Sequence, residues 1–171
     1  MVVATNAGVV EYNGSWWEEF SIDGEYGVWI TEIFNDSQDR IWFASPHNGA
    51  LYTYIDSSWT MKYDVNGIPF GNIEDIDEAP NGNIYFGGGN NLFRLSNGVW
   101  SVFTNNDGLI PSNGIYAVKA ASDGKIWVGT YNGGMASYSN AKADVVFFVD
   151  MNYQIEASLF NPTADSVFMY S

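Results

Sequence analysis

The side chains that could support catalysis are few and widely spaced in this chain of 171 residues. His47 is the single histidine and lies in the turn-like stretch Ser45-Pro46-His47-Asn48-Gly49. A Ser-His-Asp arrangement would have to use it, although a lone histidine in a loop is typically a solvated side chain. The absence of cysteine excludes a thiolate nucleophile, a disulfide framework and a cysteine-based zinc site.

Acidic side chains are dense in one short segment, which contains Glu74, Asp75, Asp77 and Glu78. Paired carboxylates can hydrolyse glycosides. Neighbouring strand residues point to opposite faces, however, so Glu74 and Asp75 should diverge, and a solvated edge is the favoured interpretation. Asp and Asn side chains in the hairpin turns could cradle calcium, but no twelve-residue calcium loop with a terminal Glu is present. We therefore predict neither a metal site nor a cofactor.

The hairpin sequence Ser122-Asp123-Gly124-Lys125-Ile126-Trp127 resembles the Asp-box hairpins of sialidases. The resemblance implies an enzyme that holds its substrate carboxylate with three arginines. This chain contains only Arg40 and Arg94, so that enzyme cannot be built from these residues. We predict that the chain is not an enzyme.

The balance of charge excludes two classes of partner. The net charge is −14, with only six Lys and Arg residues against twenty Asp and Glu. Nucleic-acid binding needs cations that displace counterions from phosphates, and anionic membrane surfaces attract basic segments for the same reason. No run approaches the roughly 20 apolar residues of a membrane helix. We therefore expect no nucleic-acid partner and no membrane insertion.

Two aromatic markers repeat along the chain with one period of about 42 residues. Ile-Trp-Phe-type triplets begin at Ile41, Ile84 and Ile126, and tryptophans recur at positions 17, 59 and 100. Repeats of this length that are rich in aromatic and β-branched residues, with Asn-Gly and Asp-Gly turns, are typical of four-stranded propeller blades. The recurring Trp17, Trp42, Trp59, Trp100 and Trp127 are predicted to pack between the blades.

Aligned on these markers, the repeats cover residues 8–49, 50–91 and 92–133, each with four strand-like pieces. The fold class is therefore predicted as all-β, a partial β-propeller of about three and a half blades in residues 1–142. Closed propellers have roughly four to eight blades, and an open arc exposes strand edges. We expect a fragment of a larger propeller, whose remaining blades belong to the same polypeptide.

The third repeat carries the motif Gly108-Leu109-Ile110-Pro111-Ser112-Asn113, followed by the Asp-Gly turn, an Ile-Trp-Val-Gly-Thr strand and a Gly-Gly pair. It resembles the two-component regulator propeller repeat, which runs Gly-Leu-Pro-Ser-Asn, an Ile-x-x-Ile pair, Asp-x-x-Gly and Leu-Trp-Ile-Gly-Thr. Ile110 is an extra residue before Pro111, and the first repeat lacks the Pro-Ser-Asn element. The resemblance implies a recognition module in an extracellular or periplasmic sensor, or in a secreted surface protein.

Residues 143–171 change character, because glycine disappears and the period is lost. Val145 to Met151, Phe160-Asn161-Pro162 and Asp165 to Val167 resemble the opening of a starch-binding-like β-sandwich. The segment is therefore predicted to be either the start of a second domain or the final strands of the propeller.

Ligand-binding residues are predicted on one face of the blades. In a four-stranded blade, the loop to the next blade and the loop between strands two and three project from the same face. Exposed aromatic rings beside amides suit a sugar ring, which offers an apolar face and hydroxyls. Trp29 and Phe70 could instead pack between blades. The predicted site for a glycan or peptide consists of Tyr26, Trp29, His47, Asn48, Phe70, Asn72, Asn90, Asn113, Tyr131 and Asn132.

Three functions remain open on the sequence. The leading hypothesis is a non-catalytic extracytoplasmic recognition module of a larger signalling or cell-surface protein. The second is an accessory part of a secreted glycan-degrading enzyme whose catalytic residues lie outside this chain. The third is a scaffold for protein interactions.

Overall fold

The structure is a computed structural model that describes residues 1–5, 7–46, 48–104, 114–131, 134–139, 142–149, 155–159 and 168–170. Every regular element in these ranges is a β-strand, and none of the described residues form a helix long and apolar enough to cross a membrane. The all-β prediction is confirmed.

The strands form four main antiparallel sheets in chain order, with one small hairpin. The first sheet contains β1 (Val2–Thr5), β2 (Gly8–Tyr12) and β3 (Trp17–Phe20). The second contains β4 (Glu32–Asn35), β5 (Ile41–Ser45), β6 (Ala50–Ile55) and β7 (Ser58–Lys62). The small hairpin pairs β8 (Asp64–Val65) with β9 (Ile68–Pro69). The third sheet contains β10 (Ile73–Glu78), β11 (Ile84–Gly88), β12 (Asn91–Ser96) and β13 (Val99–Thr104).

The fourth sheet is longer and extends into the tail. It contains β14 (Ile115–Ala120), β15 (Ile126–Thr130), β16 (Met135–Ser139), β17 (Lys142–Val149), β18 (Ile155–Leu159) and β19 (Phe168–Tyr170). β17 pairs with β16 as the fourth strand of this sheet, and β18 and β19 add to it. The division into residues 1–142 and 143–171 stays a prediction. The second and third sheets have the four-stranded, consecutively ordered architecture of propeller blades, and the fold is a partial β-propeller.

The period is visible in the backbone at the hairpins between the first two strands of the second, third and fourth sheets. In each, the residue after the first strand donates its N–H to the carbonyl four residues later, and its own carbonyl accepts from the residue with a positive φ. The donor, acceptor and positive-φ residues are Asp36, Arg40 and Asp39; Ala79, Asn83 and Gly82; and Ala121, Lys125 and Gly124. The predicted tight turns are confirmed.

The chain divides into two compact units, residues 1–74 and 75–171. In the first unit, alternate residues of β2, β5 and β6 point inward and join side chains of the β3–β4 connection. This cluster consists of Val9, Ile22, Ile30, Phe43, Ala50 and Tyr52, with Phe20, Val28 and Trp59 among the half-buried residues packed against it. Apolar burial of this kind is the main stabilising term of a small sheet stack.

The core of the second unit lies between the third and fourth sheets. It consists of Ala79, Tyr85, Leu92, Ile115, Val118, Ile126, Val128, Ala136 and Tyr138. The approach is closest at Gly87, where a Cβ atom would lie 2.5 Å from Cγ2 of both Ile115 and Val118. The glycine is required here by packing, because its φ is not positive.

We predict that Gly87→Ala destabilises the chain by about 1 to 3 kcal/mol, because a methyl group at this position overlaps two buried branched side chains. Gly129 on β15 is the matched control, since a Cβ there would meet Ala117 Cβ at an ordinary 3.6 Å. Urea denaturation of both variants measures the difference. Equal losses from the two substitutions would contradict the packing explanation.

The predicted packing between blades is seen for Trp59, whose ring lies 6.0 Å from that of Phe20 on β3 of the first sheet. Trp42 is buried, and the Trp100 ring lies 5.0 Å from that of Phe86 in its own sheet, so packing between blades stays a prediction for these two. Trp127 is half-buried outside the core cluster of its unit.

The prediction for Trp17 is wrong, because 47% of its side chain is exposed. The strand register places Val3, opposite Val10, where Phe43 lies opposite Tyr52 in the second sheet, and Val3 is small and 39% exposed. The ring of Trp17 packs on that of Tyr12 instead, at 5.3 Å.

Candidate functional site

One concave surface of the first unit is formed in part by the connection between β3 and β4. Ile22 and Glu25 pair as a β-bridge around Asp23 and Gly24, whose φ angles of 50° and 83° both lie in the left-handed region. Two positive-φ residues give the turn the twist that a two-residue hairpin needs. Ile22 and Ile30 are buried at either end, so the exposed residues between them are held in place.

This connection and the end of β5 enclose a cleft of about 310 Å³. Tyr26 is 63% exposed and Trp29 is 53% exposed, so both rings are available to a molecule that enters from solvent. The cleft is lined by Glu25, Tyr26, Gly27, Val28, Trp29, Ser45 and Asn48. We call it the Trp29 cleft.

Two polar side chains contribute to the Trp29 cleft from the second sheet. Asn48 is fixed by its neighbours: its Oδ1 accepts the N–H of Ala50 at 3.0 Å, and its Nδ2 donates to the hydroxyl of Tyr52 at 2.9 Å. Ser45 is only 1% exposed, and its Oγ has no hydrogen-bond partner in the part of the chain that the structure describes. A buried hydroxyl without a partner is unfavourable and is a candidate contact for a ligand or an ordered water.

A second exposed aromatic group lies in the second unit. The rings of Tyr116 and Tyr131 are 5.5 Å apart, with 57% and 69% of the residues exposed. Tyr116 falls where the register of β14 against β15 shifts, since Ile115 pairs with Thr130 and Ala117 pairs with Gly129. A bulge of this kind re-aims one side chain. Tyr116 was not predicted, because strict alternation along the strand carries no sign of the bulge.

The predicted site residues divide into several groups. Tyr26, Trp29 and Asn48 are brought together in the Trp29 cleft. Asn72 and Asn90 are exposed but do not line it, and Tyr131 belongs to the tyrosine pair of the second unit. The prediction for Phe70 is wrong, because Phe70 is 0% exposed and its ring cannot face a ligand. His47, Asn113 and Asn132 lie outside the described residues.

The prediction that the acidic segment is a solvated edge is wrong, because Asp75 and Asp77 are half-buried and accept backbone N–H groups. Asp75 accepts the N–H of Val118 at 2.7 Å and that of Ile76 at 2.9 Å. Asp77 repeats the arrangement two residues further along, with Ala120 and Glu78 as donors. Each carboxylate therefore links β10 to β14, because it accepts a backbone N–H group from each of the two strands.

The surroundings of the two carboxylates differ. Burial raises the pKa of Asp75, and although the N–H groups of Val118 and Ile76 act in the opposite direction, the net shift is upward. The ammonium of Lys119 lies 2.7 Å from Asp77. A carboxylate whose oxygens are occupied by backbone donors is poorly placed to transfer a proton to a substrate.

The most strongly bonded carboxylate of the first unit is Asp36, whose side chain is fully buried. Its Oδ1 accepts the backbone N–H groups of Gln38 and Arg40, and its Oδ2 accepts from Arg40 Nε at 2.6 Å and Trp42 Nε1 at 2.7 Å. Burial raises its pKa, but these donors outweigh burial and hold the pKa below its usual range. Among the described residues, no group of three or more His, Asp or Glu side chains could hold a metal ion.

Residues 109–132 match the family described as the two component regulator propeller. The resemblance seen in the third repeat is thereby confirmed over that segment. No curated protein matches the chain.

Among solved structures, the chain is similar to the extracellular domain of a hybrid two-component system from B. thetaiotaomicron, with a TM-score of 0.66 and 18% identity over 98% of this chain and 28% of that chain. The extracellular domain of a one-component system from the same organism gives 0.65 and 15%, over 98% and 26%. A catalytically inactive virginiamycin B lyase from Staphylococcus aureus, solved with quinupristin, gives 0.57 and 15%, over 99% and 68%. The chain spans about a quarter of the first two, and all three likenesses show the fold.

Proposed function

We propose that this chain is a non-catalytic recognition module of an extracytoplasmic sensor or surface protein, and that its exposed aromatic loops bind a glycan or peptide. The observation that carries the proposal is the Trp29 cleft, in which Tyr26 and Trp29 are exposed beside the hydroxyl of Ser45 and the amide of Asn48. Concave sites with a few placed polar groups among aromatic side chains are typical of small-molecule recognition.

The chemistry of the described carboxylates supports a non-catalytic role. Asp36, Asp75 and Asp77 accept hydrogen bonds from backbone or side-chain donors of their own unit. General acid–base catalysis needs a titratable group within reach of the substrate. Of the described residues lining the Trp29 cleft, only Glu25 is acidic, so this part of the chain offers no pair of carboxylates there.

The extracytoplasmic setting and the larger protein rest on the comparisons. The matched repeat belongs to a family named for two-component regulators, and two of the similar structures are extracellular domains of signalling systems. Both are several times longer than this chain. In such an arrangement, a ligand changes the signalling state by binding one conformation of the whole protein more tightly than another.

We predict that the purified chain binds a component of a glycan or peptide array, and that the double variant Tyr26→Ala/Trp29→Ala weakens this binding at least tenfold. The reason is the loss of two aromatic faces from the cleft. Both side chains are more than half exposed, so the variant should remain folded. Isothermal titration calorimetry with the array hit measures the change in affinity.

Trp16→Ala is the matched control, because Trp16 is 63% exposed and does not line the Trp29 cleft. The control should bind like the parent chain. The proposal fails if neither array yields a ligand, or if Trp16→Ala weakens binding as much as the double variant. A chain that binds only intact partner proteins through its strand edges would indicate a scaffold instead.

A further inference from the structure

We infer that the Trp29 cleft takes an uncharged saccharide ring, which stacks on Trp29 and hydrogen-bonds through a hydroxyl to Ser45 Oγ. This inference rests on the proposed function and narrows it to one ligand class and one cleft.

The hydroxyl of Ser45 supplies the first argument. Ser45 is the last residue of β5, lines the cleft, and is 1% exposed, yet its Oγ has no partner among the described residues. Desolvating a hydroxyl without a replacement bond is unfavourable, so a buried one is nearly always satisfied. A sugar hydroxyl can donate to this oxygen or accept from it, which matches both capacities of a serine side chain.

Asn48 supplies the second polar contact. Its Oδ1 is used by Ala50 N–H, and one Nδ2 hydrogen is used by the hydroxyl of Tyr52. Because Asn48 lines the cleft and its amide is held by these two bonds, its second Nδ2 hydrogen can donate to an acceptor there. A hydroxyl oxygen is such an acceptor.

The size and walls of the cleft suit one or two sugar rings. Its volume of about 310 Å³ is at the small end of the range for ligand sites. Trp29 and Tyr26 offer flat apolar faces, and a pyranose presents an apolar face of C–H groups that can stack on them.

Charge selects among saccharides. Among the described residues that line the cleft, Glu25 is the only charged side chain, and none is Lys or Arg. The chain as a whole carries a net charge of −14. A uronate or sulfate group would enter a region of like charge with no cation to pair with it, whereas neutral hydroxyls can donate to a carboxylate.

The test is calorimetric titration of the full chain with neutral sugars and their acidic counterparts. The neutral probes are methyl glycosides of glucose, galactose, mannose and xylose, with their β-1,4-linked disaccharides. The acidic counterparts are the methyl glucuronides, galacturonides and mannuronides, and the glucuronide also serves as the counterpart of the xyloside. We expect at least one neutral probe to bind, and its acidic counterpart to bind at least tenfold more weakly.

Two single variants locate the contact. Ser45→Ala should weaken binding of the neutral probe about tenfold without lowering the melting temperature, because it removes a hydroxyl that makes no hydrogen bond to any described residue. Ser58→Ala is the matched control on an exposed position of β7 and should change neither quantity. A fall in melting temperature with unchanged affinity would show that the Ser45 hydroxyl serves the fold, and would overturn the inference.

The remaining outcomes separate the inference from the proposed function. Equal binding of neutral and acidic sugars, or binding of array peptides alone with loss in Tyr26→Ala/Trp29→Ala, overturns the inference and leaves the recognition module standing. An absence of any array ligand overturns both.

Discussion

Replacing Asp36 with alanine is expected to destabilise the folded chain by about 3 to 5 kcal/mol, the usual cost of removing one partner of a buried ion pair. The substitution leaves the Arg40 guanidinium, the Trp42 indole N–H and two backbone N–H groups without this acceptor. The arginine also lies over the indole ring, 5.2 Å from its centroid, so both groups lose their alignment. Urea denaturation followed by tryptophan fluorescence measures the loss.

The Asp36 carboxylate should also make the free energy of unfolding depend on pH. Burial raises the pKa of Asp36, but hydrogen bonds from Trp42, Arg40 and Gln38 lower it by more than burial raises it. The folded-state pKa therefore lies below the unfolded value of about 3.9. A depressed acid pKa contributes stability that is fully present above the unfolded pKa and is lost as the pH falls through the folded pKa. The parent chain should therefore lose stability below about pH 4, and Asp36→Ala should lose less over the same interval.

Asp123→Ala is the matched control for this prediction. Asp123 lies in the corresponding hairpin of the fourth sheet, but it is exposed and accepts one backbone N–H, from Lys125 at 3.0 Å. Its loss should cost less than about 1 kcal/mol. If both alanine variants unfold at the same urea concentration, the buried network does not stabilise the hairpin as described.

Much of the fold follows from the repeated pattern in the sequence. The sequence predicts short antiparallel strands and their order from three signals: the period near 42 residues, the alternation of buried positions, and the turn residues at fixed offsets. The structure gives the β6–β7 and β12–β13 hairpins two-residue turns with positive φ, at Asp56-Ser57 and Asn97-Gly98. These local signals agree with one another, which is why they suffice to predict the elements.

Asp36 shows what the period could not predict. The positions that correspond to it in the next two repeats are Ala79 and Ala121. A turn residue was expected at this point, but its bond to the Trp42 indole depends on side-chain direction across two strands. This contact is specific to one repeat, so aligning the repeats with one another cannot predict it.

The candidate site was predicted only as a set of loops. Phe70 illustrates the reason, since it follows the β8–β9 hairpin and its N–H donates to the carbonyl of Tyr63 at 3.0 Å. The Asn66-Gly67 turn, with both φ angles positive, folds this segment back so that the ring becomes buried. Loop composition predicts exposure on average, whereas the turn geometry decides which ring is covered.

Trp59→Ala is expected to destabilise the chain by about 3 to 5 kcal/mol, the usual range for truncating a large aromatic side chain in a core. The ring contacts an aromatic cluster of the first unit, with centroid distances of 4.7 Å to Tyr54, 5.3 Å to Phe43 and 6.0 Å to Phe20. Removing the indole leaves a cavity between β3 and the second sheet, and rigid strands on either side limit its collapse. Urea denaturation monitored by far-ultraviolet circular dichroism measures the loss independently of the tryptophan signal.

Trp17→Ala is the control, because Trp17 has the corresponding repeat position but is 47% exposed, and among the aromatic rings of the described residues it packs on that of Tyr12. Its loss should cost less than about 1.5 kcal/mol, since about half of the surface of Trp17 is already in water. Trp59→Phe should recover part of the loss by restoring an aromatic ring against Phe43. Equal destabilisation by Trp17→Ala and Trp59→Ala would contradict this explanation. It would show that stability depends on the repeated tryptophan position and not on the contact of its ring with Phe43.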